Sequence, residues 1–303
     1  MYSRNDDFTY NSRGRIKPTL ENLLHIFCTD PELDQIRFDS RAGRVIDISF
    51  SDSPTSMLFS RPEHDFVYDV PALEKYLSSA YNLDGLPTSL VVAAYDEYLK
   101  HFAYDPVQEY LRSLEWDGFS RLGLVLPGST GTPMDYELAK KVFVGAAKRV
   151  LYPGIEQDFV PVFYGDPGGD MGTWLNLIGV GYTGFFPSPN PNGFTKPEQT
   201  WVSVYDINDI NDMESQSELW GFYDKAKRTW YVSKGEGNLQ HRKWVTWGIT
   251  HNTYLKDHPL LPGTLHFIEA PEQIDLEKFF DNSQGITNEY RNQVWAEAVH
   301  LAS

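Results

Sequence analysis

Between Val160 and Gly179 the chain reads VPVFYGDPGGDMGTWLNLIG: an apolar run, a glycine-rich turn, then a second apolar run. A strand, such a turn and a helix can make a phosphate-binding loop. In the G-x-x-x-x-G-K-[ST] form, backbone N–H groups cradle the phosphates, the lysine reaches the β- and γ-phosphates, and the hydroxyl holds magnesium. Here those slots hold Gly165, Asp166, Pro167, Gly168, Gly169, Asp170, Met171 and Gly172, with Thr173 next. Methionine stands at the lysine position. Sliding the register by one recruits Thr173 as the hydroxyl but leaves Gly172 on the lysine. No Lys or Arg occurs between Arg149 and Lys196, so the local chain offers no replacement cation. Asp170 adds a carboxylate where the triphosphate would lie. Two like charges about 4 Å apart cost roughly 4 kcal/mol at an effective dielectric near 20, a loss of about a thousandfold in affinity.

Two other stretches carry chemistry. WVSVYDINDIND, from Trp201, spaces Asp206, Asp209 and Asp212 by three, which suits either a magnesium ion, a basic partner or the surface of a polar turn. From 225 to 247, KAKRTWYVSKGEGNLQHRKWVTW interleaves Lys234, Arg242, Lys243 and other cations with Trp230, Tyr231, Trp244 and Trp247. Cations on a hairpin tip beside aromatic rings fit phosphate contact and base stacking. The opposing reading makes the tryptophans core and the lysines a solvated face. The eight histidines form no H-E-x-x-H, there is no G-x-S-x-G elbow, and the single cysteine, Cys28, excludes an internal disulfide.

These residues need a scaffold. With 303 residues, 41% of them hydrophobic, the chain can bury a full core and is expected to form two domains. A formal net charge of −16 repels nucleic acid and anionic membranes on average, so any DNA contact must be local. The polar N-terminus and the lack of an 18-residue apolar run predict a soluble cytoplasmic protein without a membrane association. The pattern predicts a loose arm over 1–18 and a small α+β region over 19–104. That region comprises a capped helix from Thr19, a hairpin across 36–48, and two helices over 70–83 and 88–102. Over 105–303 it predicts a helical lead-in, a helix over 136–151, and a strand, loop and helix over 160–180. These are followed by a Pro/Gly/Asn-rich loop over 188–199, a strand over 201–207, a helix near 214–228, a hairpin over 231–244, a strand at VTWGITHN and a terminal helix. Alternating strands and helices of this kind give an α/β fold with a mostly parallel sheet.

From about Leu20 onward the chain resembles the virulence-associated protein E family of phages and mobile elements, proteins related to superfamily 3 helicases. The resemblance is carried by DPVQEYLRSLEWDGFSRL, the helix ending in YPG, the strand and glycine loop, ITHNTYLKD and RNQVWAEAVHL. It implies an AAA+-like P-loop core and assembly as a homo-oligomer. Under it, Gly165, Gly168, Asp170, Met171, Gly172 and Thr173 form the nucleotide loop in degenerate form, and Asp206 falls near the acidic motif. Asn252 matches the residue that positions the attacking water, and Lys234, Arg242 and Lys243 lie on the DNA-gripping hairpin. The family's arginine stretch is replaced here by Gly263, Thr264, Leu265 and His266. Loss of the arginines removes charge worth on the order of 10³ to 10⁵ in rate, and the lysine is missing as well. The expectation is a helicase-like protein that no longer hydrolyses ATP, needs no cofactor or metal, and acts by binding a replication helicase, a host factor or single-stranded DNA. The alternatives are an active ATPase using ATP and magnesium, and an acidic mimic of nucleic acid.

Overall fold

The computed structural model describes residues 8–33, 36–41, 44–47, 70–83, 85–165, 169–186, 200–207, 222–224, 226–232, 239–251, 253, 265–279 and 289–303. Their contacts divide the chain into two units, Met1–Pro106 and Val107–Ser303.

In the first unit, α1 (Leu20–Thr29) starts where the Thr19 hydroxyl accepts the Asn22 N–H. Its Leu23, Ile26 and Phe27 lie on one face and pack with Leu73 and Leu77 of α2 (Val70–Tyr81) and Val91, Ala94 and Tyr98 of α3 (Thr88–His101). Strand β1 (Ile36–Asp39) pairs antiparallel with β2 (Arg44–Asp47) and parallel with β3 (Ala103–Tyr104). Residues 8–18 differ from a loose arm. Tyr10 bridges Ile16, and the buried Asn22 fastens the turn to α1: its Oδ1 accepts from the Thr9 N–H at 3.0 Å, and its amide donates to the carbonyls of Thr9 at 2.9 Å and Lys17 at 2.8 Å. One buried side chain thereby satisfies backbone groups on both arms of the turn.

The second unit opens within α4 (Pro106–Ser113), at its second residue, and continues through α5 (Pro133–Leu151). Thr132 and Asp135 form a reciprocal capping box around Pro133, which fixes where α5 begins. A five-stranded sheet follows in the order β10 (Leu265–Glu269), β4 (Val160–Tyr164), β9 (Val245–Thr250), β6 (Val202–Asp206), β5 (Thr183–Phe186), and every pairing in it is parallel. The expected α/β core with a mostly parallel sheet is therefore present, preceded by an α+β unit. Both faces of the sheet are covered, which explains why β4 reads as a continuous apolar run and β9 is buried at nearly every position. On one face lie Phe143 of α5, Trp174 of α6 (Asp170–Ile178), Trp247 of β9 and Trp295 of α7 (Glu289–Ala302). On the other lie Val160, Val162, Phe186, Tyr205, Phe222 and Leu265. Two of the buried indoles are paired with backbone: Trp174 donates to the Val125 carbonyl at 3.2 Å and Trp295 to that of Ile178 at 3.0 Å.

The family-like stretch around Trp116 closes the unit. Glu297 of α7, 1% exposed, accepts from the Ser120 hydroxyl at 2.6 Å, the Arg121 N–H at 2.6 Å and the Leu122 N–H at 3.1 Å. Gln293, one turn earlier, accepts from the Asp117 N–H at 3.0 Å and donates to the Glu115 carbonyl at 3.1 Å.

Candidate functional site: the loop after β4 and the hairpin before β9

Strand β4 lies where the strand order reverses, between β10 and β9, the place where open parallel sheets bind ligands at their carboxyl edge. The chain turns there at Gly165. Its N–H donates to the Thr250 carbonyl at 3.1 Å, and its φ is +129°. A Cβ at this position would stand 2.7 Å from the Ala270 carbonyl oxygen, so only glycine fits. His251 Nδ1 lies 2.9 Å from the Gly165 carbonyl, which accepts the ring N–H. The end of β9 is thus fastened to the start of the loop. Tyr164 donates to Glu269 Oε2 at 3.1 Å across the same edge.

Helix α6 then begins at Asp170 with Gly169 as its N-cap, and no side chain caps it. The first turn of a helix presents free N–H groups and the positive end of the dipole, a natural anion site. Here the first residue is itself an anion. Asp170 also accepts a long 3.5 Å bond from the Ile274 N–H. Met171, at the position where a phosphate-binding lysine would stand, is only 5% exposed and lies in the core beside the buried Trp174. Gly172 has open space where a Cβ would point, and the Thr173 hydroxyl donates to the Gly169 carbonyl of its own helix at 3.3 Å.

Asp206 ends β6 in register with Ile249, and Ile207 N–H donates to the Ile249 carbonyl at 3.0 Å. The fold therefore brings Gly165, Asp170, Met171, Gly172, Thr173 and Asp206 to one edge of the sheet. Gly168 and Asn252 lie outside the described residues, as do Asp209, Asp212 and most of the helix expected near 214–228. Among the described residues no group of three or more His, Cys, Asp or Glu could hold a metal ion.

The hairpin is β7 (Trp230–Val232) paired with β8 (Leu239–His241). Trp230, 43% exposed, lies tilted by 33° against His241 with ring centroids 3.5 Å apart, and the Tyr231 hydroxyl donates to Gln240 at 2.7 Å. Arg242 is corrected from a surface contact to an interior one. It is 5% exposed, lies 4.4 Å over the Trp244 ring, and donates to the Arg228 carbonyl at 3.3 Å and the Thr246 hydroxyl at 3.2 Å. Arg149 of α5 donates to the same Arg228 carbonyl and to that of Ile155. Burial first, and the neighbouring Arg149 charge second, push the Arg242 pKa down to about 9; burial takes Arg149 to about 10. Trp244 and Trp247 are buried as well, so those two rings belong to the core. The base of the hairpin is seated on the turn after α5 through Gly154, whose φ is +95°; a Cβ there would come within 2.2 Å of the His241 ring. Lys243 is half-buried between β8 and β9, and Lys234 lies outside the described residues.

Sequence reasoning placed His251 at a strand end but missed its contact, and missed Arg149 and Glu297 altogether. Their partners are 86, 79 and 176 positions away, and no local spacing announces such contacts.

A family model described as the virulence-associated protein E-like domain matches residues 111–302. It begins well after Leu20, so the first unit lies outside the match. No curated protein matches the chain. Among solved structures, the apo NrS-1 C-terminal region (305-718) is similar over 64% of this chain and 48% of that one, at 12% identity and a TM-score of 0.42. An A-form apo structure of that region gives 63% and 46%, 12% identity and 0.35. A further A-form structure gives 62% and 48%, 11% identity and 0.38. This chain spans about half the length of those chains.

Proposed function

The chain belongs to the virulence-associated protein E-like domain family, and from that premise we propose that it is a helicase-like protein of phage or mobile-element origin that has given up ATP hydrolysis and acts by binding. The observation that carries this reading is the pairing of Met171, packed inside, with Asp170, whose carboxylate stands at the positive end of α6. The loop keeps the glycine that its turn requires, while the position that would supply a cation supplies core packing instead. Removal of one catalytic charge can be compensated, but groups that stabilise phosphoryl transfer act as a set.

The partner on this reading is a replication helicase or a host factor in the bacterial cytoplasm, and the protein works without ATP, magnesium or another cofactor. The exposed Trp230 face supports a second contact, with single-stranded DNA, in which Lys234 and Lys243 meet phosphates and the indole stacks on a base. The test is phosphate release from magnesium-ATP with and without single-stranded DNA. Release at background is expected. Turnover on the order of 1 per second, ordinary for a phosphoryl-transfer enzyme, would overturn the reading.

A further inference from the structure

At the amino edge of the sheet, opposite the loop after β4, a groove of about 540 Å³ runs between α5 and the segment 155–159. That volume lies in the range of small-molecule sites. Its floor is apolar, from Val142, Ala146 and Val245. Gly145 faces it from the middle of α5. A glycine inside a helix is unfavourable, and it is usually kept for a positive φ or for close packing. Neither applies here: φ is not in the left-handed region, and a Cβ at Gly145 would meet nothing within 4 Å. Among the described residues no packing requires the bare backbone, so the floor of the groove stays open to close approach by a ligand.

The rims carry charge with an imbalance. Lys141 and Lys148 lie seven residues apart on α5, about 10 Å along the axis, one on each side of Gly145. Neither forms an ion pair among the described residues, whereas the groove's Glu156 is held by Lys227 at 3.3 Å and its Glu137 lies 4.0 Å from Lys140. Asp158 is the remaining carboxylate. The far wall is the Phe159 ring, stacked face to face on His266 at 3.9 Å and 7°, with Lys141 Nζ 5.8 Å from the Phe159 centroid. Burial, then Lys141, holds the His266 pKa below its ordinary value, so the ring behind the wall favours its neutral form.

We propose that this groove binds an organic anion with a flat apolar body, its charged group between Lys141 and Lys148 and its ring plane against the Gly145 backbone and the Phe159 wall. The site is separate from the loop after β4, and the proposal does not depend on whether ATP is hydrolysed.

The probe is 1-anilinonaphthalene-8-sulfonate, an aromatic sulfonate whose fluorescence rises in apolar surroundings, titrated into the full chain. Saturable binding to one site is expected. Gly145→Leu, which fills the floor, weakens it at least about tenfold. Because leucine favours a helix more than glycine does, this variant keeps or raises its melting temperature, so loss of binding cannot be unfolding. Lys141→Ala with Lys148→Ala weakens it about three- to tenfold and flattens its salt dependence. Absence of saturable binding overturns the proposal, as does equal affinity in Gly145→Leu. Displacement of the probe by inorganic phosphate alone, at equal concentration, overturns the requirement for a flat body.

Discussion

Replacing Glu297 should unseat the segment that closes the second unit. Its carboxylate accepts three donors, at 2.6, 2.6 and 3.1 Å, while almost wholly buried. A hydrogen bond to a charged acceptor contributes about 1.5–3 kcal/mol when both groups leave water. Ser120 is exposed and Arg121 half-exposed, so those two bonds are discounted to about 1 kcal/mol each. The Leu122 N–H is buried and keeps about 2 kcal/mol. Glu297→Ala therefore costs about 4 kcal/mol, and Glu297→Gln, which retains one acceptor oxygen, about 2 kcal/mol. For a unit of this size each kcal/mol moves the melting temperature by about 2–4 °C, giving about 8–16 °C for Ala and about 4–8 °C for Gln. All eight tryptophans fall at Trp116 or later, so tryptophan fluorescence during heating reads the second unit alone. Glu109→Gln is the control, because the exposed Glu109–Arg112 pair contributes at most about 0.5 kcal/mol. If Glu297→Ala melts within about 2 °C of the native chain, the three bonds do not hold the closure and the reasoning fails.

Gly165→Ala forces a side chain into a backbone at φ +129° and to 2.7 Å from the Ala270 carbonyl, and should cost about 2–3 kcal/mol in the same melting experiment. Arg242→Ala removes packing over Trp244 and two donated bonds; a drop of about 2 kcal/mol, or about 4–8 °C, is expected. An unchanged melting temperature would return Arg242 to the surface. The lowered His266 pKa means that folding favours the neutral ring, so its contribution is complete above the ordinary value of 6.5 and declines as pH falls through the folded value. Urea titrations between pH 7 and 5 should show an acid-side loss that His266→Phe removes.

The sheet's interior was legible because β4, β6 and β9 are buried along nearly their whole length and are rich in Val, Ile and aromatic residues, with only small hydroxyls such as Ser203 and Thr246 between them. The edge strands were not. Thr183–Phe186 is only four residues long, buries Gly184 and Phe186 while Phe185 is exposed, and runs into a Pro/Gly-rich stretch, and Leu265–Glu269 mixes His and Glu into a five-residue run, so neither carries a strand signal of its own. At the site, glycine spacing located the turn, and the missing lysine was plain from residue type alone. What spacing could not give is direction: that Met171 faces the core, that Arg242 faces inward from its hairpin, and that His251 reaches back to Gly165. Each depends on contacts made across the sheet, which local periodicity does not encode.

The most direct test of the disarmed loop is calorimetric titration of the full native chain with magnesium-ATP. The account predicts no heat of binding up to about 1 mM ATP, an affinity weaker than about −4 kcal/mol. Binding in the micromolar range, about −8 kcal/mol, would contradict it and require a cation from elsewhere to stand at the start of α6.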